Sequence, residues 1–159
     1  MLVYRIAEPQ FATDLTGEGA RLYGGRWNPK GIPLIYTAES VALAALEVLV
    51  RLPTPKRYSR VTYELPDAVT TEVLTLAQLP PNWNVPYPNV WLLDFGKKWA
   101  TERRSLVLKV PSAVVNGEGW NYILNPLHPE SNFISVPDSA PFSFDPRLMT
   151  MIASSQEPH

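Results

Sequence analysis

The chain has 159 residues, 45% of them apolar and 18% charged, which suits one globular domain with one core and argues against disorder. Formal net charge is -1, so there is no electrostatic case for direct nucleic-acid binding. Cysteine is absent and there are two histidines, which excludes disulfides and thiolate zinc and leaves little for metal chemistry.

Leu2-Val-Tyr-Arg-Ile6 alternates and reads as a first strand; it lacks the apolar core of a signal peptide. No apolar run reaches the roughly 20 residues of a membrane helix, so the expected setting is a soluble, cytoplasmic one with no membrane partner. Residues 10–33 are loop-like and carry Gly17, Gly19, Gly24, Gly25 and Gly31. Leu34–Tyr36 is a short strand, followed by a helix opened near Thr37 and Ala38-Glu39-Ser40, running to about Arg51 and stopped by Pro53. Tyr58–Leu65 and Val69–Leu74 have strand character, and Leu79–Pro88 is a proline-stiffened loop. Val90–Arg104 is predicted helical, with Trp91, Phe95 and Trp99 on one face as core packing. Leu106–Val110, Tyr122–Pro126 and Phe133–Val136 are further strands, and Phe142–Leu148 is a closing edge strand. The 17 prolines, most of them after residue 52, favour short elements and an α+β fold. One domain over 1–150 is expected, with 151–159 a frayed tail.

Two features carry chemistry. Glu47 is the only charged residue between Val41 and Val50, inside a helix apolar all round. A buried unpaired carboxylate is destabilising, so either Glu47 lines a pocket or it reaches the surface and pairs with Arg51 at i+4. Arg26 follows Gly24-Gly25, and glycines allow close approach of a ligand while arginine grips phosphate or carboxylate in a planar, bidentate manner. The plainer alternative is a loop arginine paired with an acid such as Glu18. Lys30 adds positive charge nearby. Tyr36 could stack on a flat ligand and donate from its hydroxyl, or simply fill the core. Ser112 ends a strand after Val110-Pro111 and could bond a ligand or cap a turn; no Ser-His-Asp set or G-x-S-x-G pattern makes it a nucleophile. His128, in Asn125-Pro-Leu-His-Pro129, reads as structural.

The ordered set Gly24-Gly-Arg-Trp-Asn-Pro-Lys-Gly31, Tyr36-Thr-Ala-Glu-Ser40, Glu47, Val110-Pro-Ser112, Asn121-Tyr-Ile-Leu-Asn-Pro-Leu-His-Pro129 and Phe144-Asp-Pro-Arg-Leu148 resembles the RES domain family. The likeness runs from Tyr4 to Leu148, and the Arg, Glu and Ser of the family name fall on Arg26, Glu47 and Ser112. The resemblance implies an ADP-ribosyltransferase-like fold with mixed or antiparallel sheets and a few helices around an NAD cleft. It implies a toxin of a type II toxin–antitoxin system, with an Xre-type helix-turn-helix antitoxin as partner and NAD+ as substrate, without metal. The reaction implied is cleavage of the nicotinamide–ribose bond by hydrolysis or phosphorolysis, or transfer of ADP-ribose to a protein such as a metabolic enzyme. In these roles Arg26 and Lys30 would hold pyrophosphate, Tyr36 would fence the nicotinamide or its ribose, Ser112 would bond ribose or amide, and Glu47 would stabilise the developing cation. A homo-oligomer or a toxin–antitoxin hetero-oligomer is compatible with this. A non-catalytic interaction module, with Glu47 paired to Arg51, is the reading from another class.

Overall fold

The structure, a computed structural model, describes residues 1–51, 57–86 and 88–155. Strands β1 (Leu2–Ala7), β2 (Ile35–Ala38), β3 (Tyr58–Glu64), β4 (Thr71–Val73), β5 (Val107–Pro111), β6 (Trp120–Leu124) and β7 (Ser135–Phe142) form one sheet in the order β4-β5-β6-β2-β1-β3-β7. Every neighbouring pair is antiparallel except β4 with β5. Helices α1 (Glu18–Tyr23), α2 (Val41–Leu49), α3 (Val90–Thr101) and α4 (Pro146–Ser155) complete an α+β fold.

Register assigns the side chains to faces, because residues opposite each other across a ladder point the same way. Val3 faces Tyr63, Ile35 faces Leu124, and Leu124 faces Val107, which together build a first core on one side of the sheet. On the other side stand Tyr4 and Ile6 of β1, Tyr36 and Ala38 of β2, Asn121 and Ile123 of β6, and Leu108 and Val110 of β5. That second face carries two separate apolar clusters. One gathers Trp27, Leu34, Leu92, Trp99, Leu108 and Ile123 under α3; the other gathers Ile6, Ala38, Leu43, Ala44 and Tyr58 with residues of α2 and α4. The strip of sheet between them becomes the floor of a cleft.

Several elements differ from the sequence expectation for identifiable reasons. The loop-like stretch 10–33 contains α1, a six-residue helix framed by Gly17 at φ 72° and Gly24 at φ 73° and held by the Glu18–Arg21 pair. Helix α2 starts at Val41, not near Thr37. Ser40 caps it by accepting from the Leu43 amide (3.1 Å), whereas the Thr37 hydroxyl donates to the Tyr122 carbonyl (2.6 Å) and keeps β2 in the sheet. Pro53 lies outside the described residues. β7 runs on to Phe142 with Pro137 and Pro141 inside it, tolerated because this edge strand pairs only with β3. The expected strand at Phe142–Leu148 instead gives way to α4. Proline suits its first position, and Asp145 Oδ1 accepts from the Arg147 amide (2.8 Å). The expected tail therefore holds the second half of α4, and 156–159 lie outside the described residues.

Helix α3 forms as expected but its aromatic face is divided. Trp99 is fully buried and donates to Ser105 Oγ (2.8 Å), while Trp91 stacks on Phe95 at 5.3 Å and stays 40% exposed. His128 is structural: its Nδ1 accepts from the Glu130 amide (3.1 Å) at the start of a 3-10 turn.

Candidate active site

The cleft between the two clusters has a volume of about 610 Å³, inside the range of roughly 300–1,000 Å³ typical of small-molecule sites. Tyr4, Tyr36, Ala38, Asn121 and Ile123 form its floor, and the segment Tyr23–Lys30 forms one wall. Ala44, Glu47, Val50 and Arg51 of the α2 segment form another, with Pro86, Pro88 and Asn89 completing the rim.

The Arg26 wall is a folded loop with its own internal bonding. Gly24 takes the positive φ that the turn requires. Gly25 pairs with Asn28, and a Cβ on Gly25 would stand 2.7 Å from the Tyr36 hydroxyl. Asn28 is fully buried: its Nδ2 donates to the carbonyls of Ala20 and Ile32 (2.9 Å each), and its Oδ1 accepts from the Tyr36 hydroxyl (2.6 Å). The Trp27 amide donates back to that hydroxyl (3.0 Å). Trp27 itself is buried edge-on against Phe95 at 6.1 Å.

Arg26 is thereby aimed across the cleft. Its Nη1 donates to the carbonyls of Trp83 (2.8 Å) and Val85 (3.0 Å). Burial pulls its pKa below the ordinary guanidinium value, and the nearby Glu47 carboxylate opposes that shift. The guanidinium stays charged at any physiological pH. Glu18, its alternative partner, is instead engaged bidentately by Arg21 (2.6 and 2.7 Å).

Glu47 is half-buried and faces the cleft from α2. The helix is not enclosed all round: Leu46 and Val50 are exposed. The i+4 pairing with Arg51 does not form, because Arg51 Nε donates to the backbone carbonyl of Glu47 (3.1 Å). The carboxylate is held from the floor and from the layer behind it. Ser112 Oγ donates to Oε1 (2.6 Å), and Asn121 Nδ2 donates to the same oxygen (2.7 Å).

Ser112 is fully buried and is not among the cleft-lining residues. It continues the β5 row of Leu108 and Val110 beyond the strand, its amide donating to the Gly119 carbonyl (2.8 Å). The partner that its hydroxyl has here is Glu47, and the contact with ribose or amide expected from the sequence would have to be made from one layer behind the lining. Tyr36 also differs in part. Its ring reaches the cleft floor, but its hydroxyl already donates to Asn28, and burial drives its pKa up. Lys30 lines the cleft and is exposed. Arg26, Glu47, Lys30 and Tyr36 are therefore brought together on one cavity, with Ser112 one contact removed. Asn28 and Asn121 were quoted in the motifs without a role. Their partners lie on other elements: Asn28 bonds Ala20 of α1, Ile32, and Tyr36 of β2, and Asn121 bonds Glu47 of α2.

The cleft and sheet define an α+β domain built around a charged cleft of about 610 Å³. The chain belongs to the RES family: the RES domain model matches residues 2–145. It is 38% identical over 143 residues to the Prs ADP-ribosylating toxin of Sphingobium sp. (strain YBL2), covering 87% of this chain and 88% of that protein. It is 34% identical over 154 residues to Toxin Res of Photorhabdus laumondii, covering 94% and 97%, and 38% identical over 153 residues to Toxin Res of Yersinia enterocolitica, covering 93% and 99%. In fold it is similar to a chain of the M. tuberculosis MbcT–MbcA toxin–antitoxin complex. The TM-score is 0.72 at 22% identity, with 96% of this chain and 88% of that one covered. No helix among the described residues is long and apolar enough to cross a membrane.

Proposed function

We propose that this protein is the toxin of a toxin–antitoxin pair and consumes NAD+ by breaking the bond between nicotinamide and ribose. One observation carries the reading: the Arg26 guanidinium and the Glu47 carboxylate line a single cleft of about 610 Å³. With Nη1 anchored on two carbonyls, Arg26 keeps its Nη2 and Nε edge for phosphate oxygens, and Lys30 adds a second cation at the mouth. The Tyr36 ring fences the base or its ribose from the floor. Departure of nicotinamide leaves positive charge on the ribose, an oxocarbenium-like state. A fixed carboxylate beside that carbon stabilises the transition state more than the ground state. Ser112 acts through Glu47, whose Oε1 it holds. Nicotinamide leaves as a neutral molecule, so the bond breaks without a metal.

Names of relatives support the class. Two relatives are toxins of the Res type, and the Sphingobium relative is named for ADP-ribosylation, which favours transfer to a protein as a second outcome beside transfer to water or phosphate. The toxin–antitoxin complex of similar fold supports an antitoxin partner, for which an Xre-type protein is the proposal. Incubation of the purified chain with NAD+, with and without inorganic phosphate and with cell lysate, followed by mass spectrometry, separates ADP-ribose, ADP-ribose-1″-phosphate and modified protein. Failure to release nicotinamide under all three conditions would leave a binding module as the better reading. Co-purification with the co-expressed antitoxin tests the partner.

A further inference from the structure

Asn121 sits on the cleft floor in β6, between Ala38 of β2 and Val110 of β5. Its Nδ2 reaches Glu47 Oε1, the oxygen that also accepts from Ser112. The opposite amide orientation would set a carbonyl oxygen against a carboxylate oxygen, so the carboxylate dictates which way the amide points. This orientation has a consequence on the far side of the same group. Asn121 Oδ1 is shut away from solvent and has no hydrogen-bond partner among the described residues. Buried acceptors without donors are rare and destabilising, and an apolar side chain of the same size would avoid the penalty.

We propose that Asn121 is a positioning residue for the Glu47 carboxylate, kept for turnover at the expense of stability. A glutamate on a helix has three rotatable bonds, and a single donor at Oε1 leaves the carboxylate free to turn about that contact. Donors from two places, just past the end of β5 and near the start of β6, fix its plane and present Oε2 to the substrate. They also prevent a competing arrangement. Arg26 and Arg51 line the same cleft, and a loose Glu47 would swing towards a guanidinium, neutralising the carboxylate and the cation together. This proposal rests on reading Glu47 as the carboxylate that acts on NAD+, and it adds the residue that holds it in place.

The test uses the full chain with Asn121→Ala and, as a volume-conserving second variant, Asn121→Leu. Thermal melting and nicotinamide release from NAD+ are measured on each. The expected result is a kcat lower by roughly 10–100-fold, the effect of losing one charge-assisted hydrogen bond, with KM within about threefold and a Tm equal to or above that of the parent chain. In the double variant Ser112→Ala/Asn121→Ala the two losses are expected to be non-additive, because both act through one oxygen. An unchanged kcat with a lowered Tm in both variants overturns the proposal and makes Asn121 a structural residue. A raised KM with unchanged kcat also overturns it, in favour of direct substrate contact. A parent chain that releases no nicotinamide overturns the NAD+ reading itself, an outcome distinct from the other two.

Discussion

Ser112 and Glu47 lie 65 positions apart and meet through a 2.6 Å hydrogen bond in which the serine hydroxyl donates to the carboxylate. The bond ties the end of β5 to helix α2 across the β6 strand, so the position of the Glu47 carboxylate is set by the sheet and not by α2 alone. Ser112 thus touches a cleft-lining residue without lining the cleft itself.

Ser112→Ala removes a charge-assisted hydrogen bond to Glu47. Such bonds are worth about 1.5–3 kcal/mol, and if that difference is felt in the transition state kcat falls roughly 10–100-fold. KM should move little, because Ser112 does not line the cleft. Steady-state nicotinamide release gives both numbers. A KM raised in proportion, with kcat intact, would restore the direct ribose or amide contact expected from the sequence.

Glu47→Gln keeps the shape and an acceptor oxygen for Ser112 and Asn121 while discarding the charge. Folding and NAD+ affinity should persist, and turnover should fall on the order of 10²–10³-fold or more, the scale of removing one preorganised electrostatic group. Calorimetry on the variant, set beside its kinetics, separates the two effects. Full turnover would remove Glu47 from the chemistry.

Arg26→Lys keeps the charge but cannot reproduce a guanidinium that bonds two carbonyls through one nitrogen and offers its remaining edge to a ligand. A KM for NAD+ raised about tenfold or more with a smaller change in kcat is the expected pattern. An unchanged KM would make Arg26 a structural clamp on the Trp83 and Val85 carbonyls.

Strands and helices whose pattern is dictated by a core they touch directly were legible: β1, β3, β5 and α3 appear where alternation or four-residue spacing placed them. α1 was not, because six residues between two positive-φ glycines are too few to show a period. The start of α2 was misplaced for a tertiary reason, the capture of the Thr37 hydroxyl by Tyr122 on β6. The site divides in the same way. Arg26 and Glu47 stood out locally, one by its glycines and the other as a charge in an apolar helix. The target of Ser112, the engagement of the Tyr36 hydroxyl by Asn28, and the grip of Asn121 depend on which strands are neighbours, and one sequence does not state register.

Gly96→Ala tests how α3 supports the Arg26 loop. A Cβ on Gly96 would stand 1.7 Å from the Trp27 carbonyl oxygen, so helix and loop backbone touch directly there. Backbone cannot move aside as a side-chain tip can. The expected loss is about 3 kcal/mol or more, read as a large fall in Tm or as insoluble protein. A Tm within about two degrees of the parent would mean that the helix and the Trp27 segment shift apart without penalty.

Tyr36 sets a pH dependence whose sign follows from its surroundings. Burial raises its phenol above the ordinary value of 10.0, only partly opposed by the Trp27 amide and the Arg51 and Arg26 charges. Below that ordinary value the phenol is neutral in both folded and unfolded chains, and the fold has its full stability. As pH rises past about 10 the unfolded chain loses the proton first, and stability declines by up to about 1.4 kcal/mol per pH unit towards the raised folded value. Tyr36→Phe lacks this slope. At pH 8 the variant should be less stable by about 1–3 kcal/mol, since the Trp27 amide and Asn28 Oδ1 both lose their partner. Urea titrations of the two proteins at pH 8 and above 10 should therefore show the gap between them narrowing as the solution becomes alkaline. A gap that stays constant across that range would mean that the hydroxyl titrates as if exposed, and that the floor of the cleft is open to water beneath the ring.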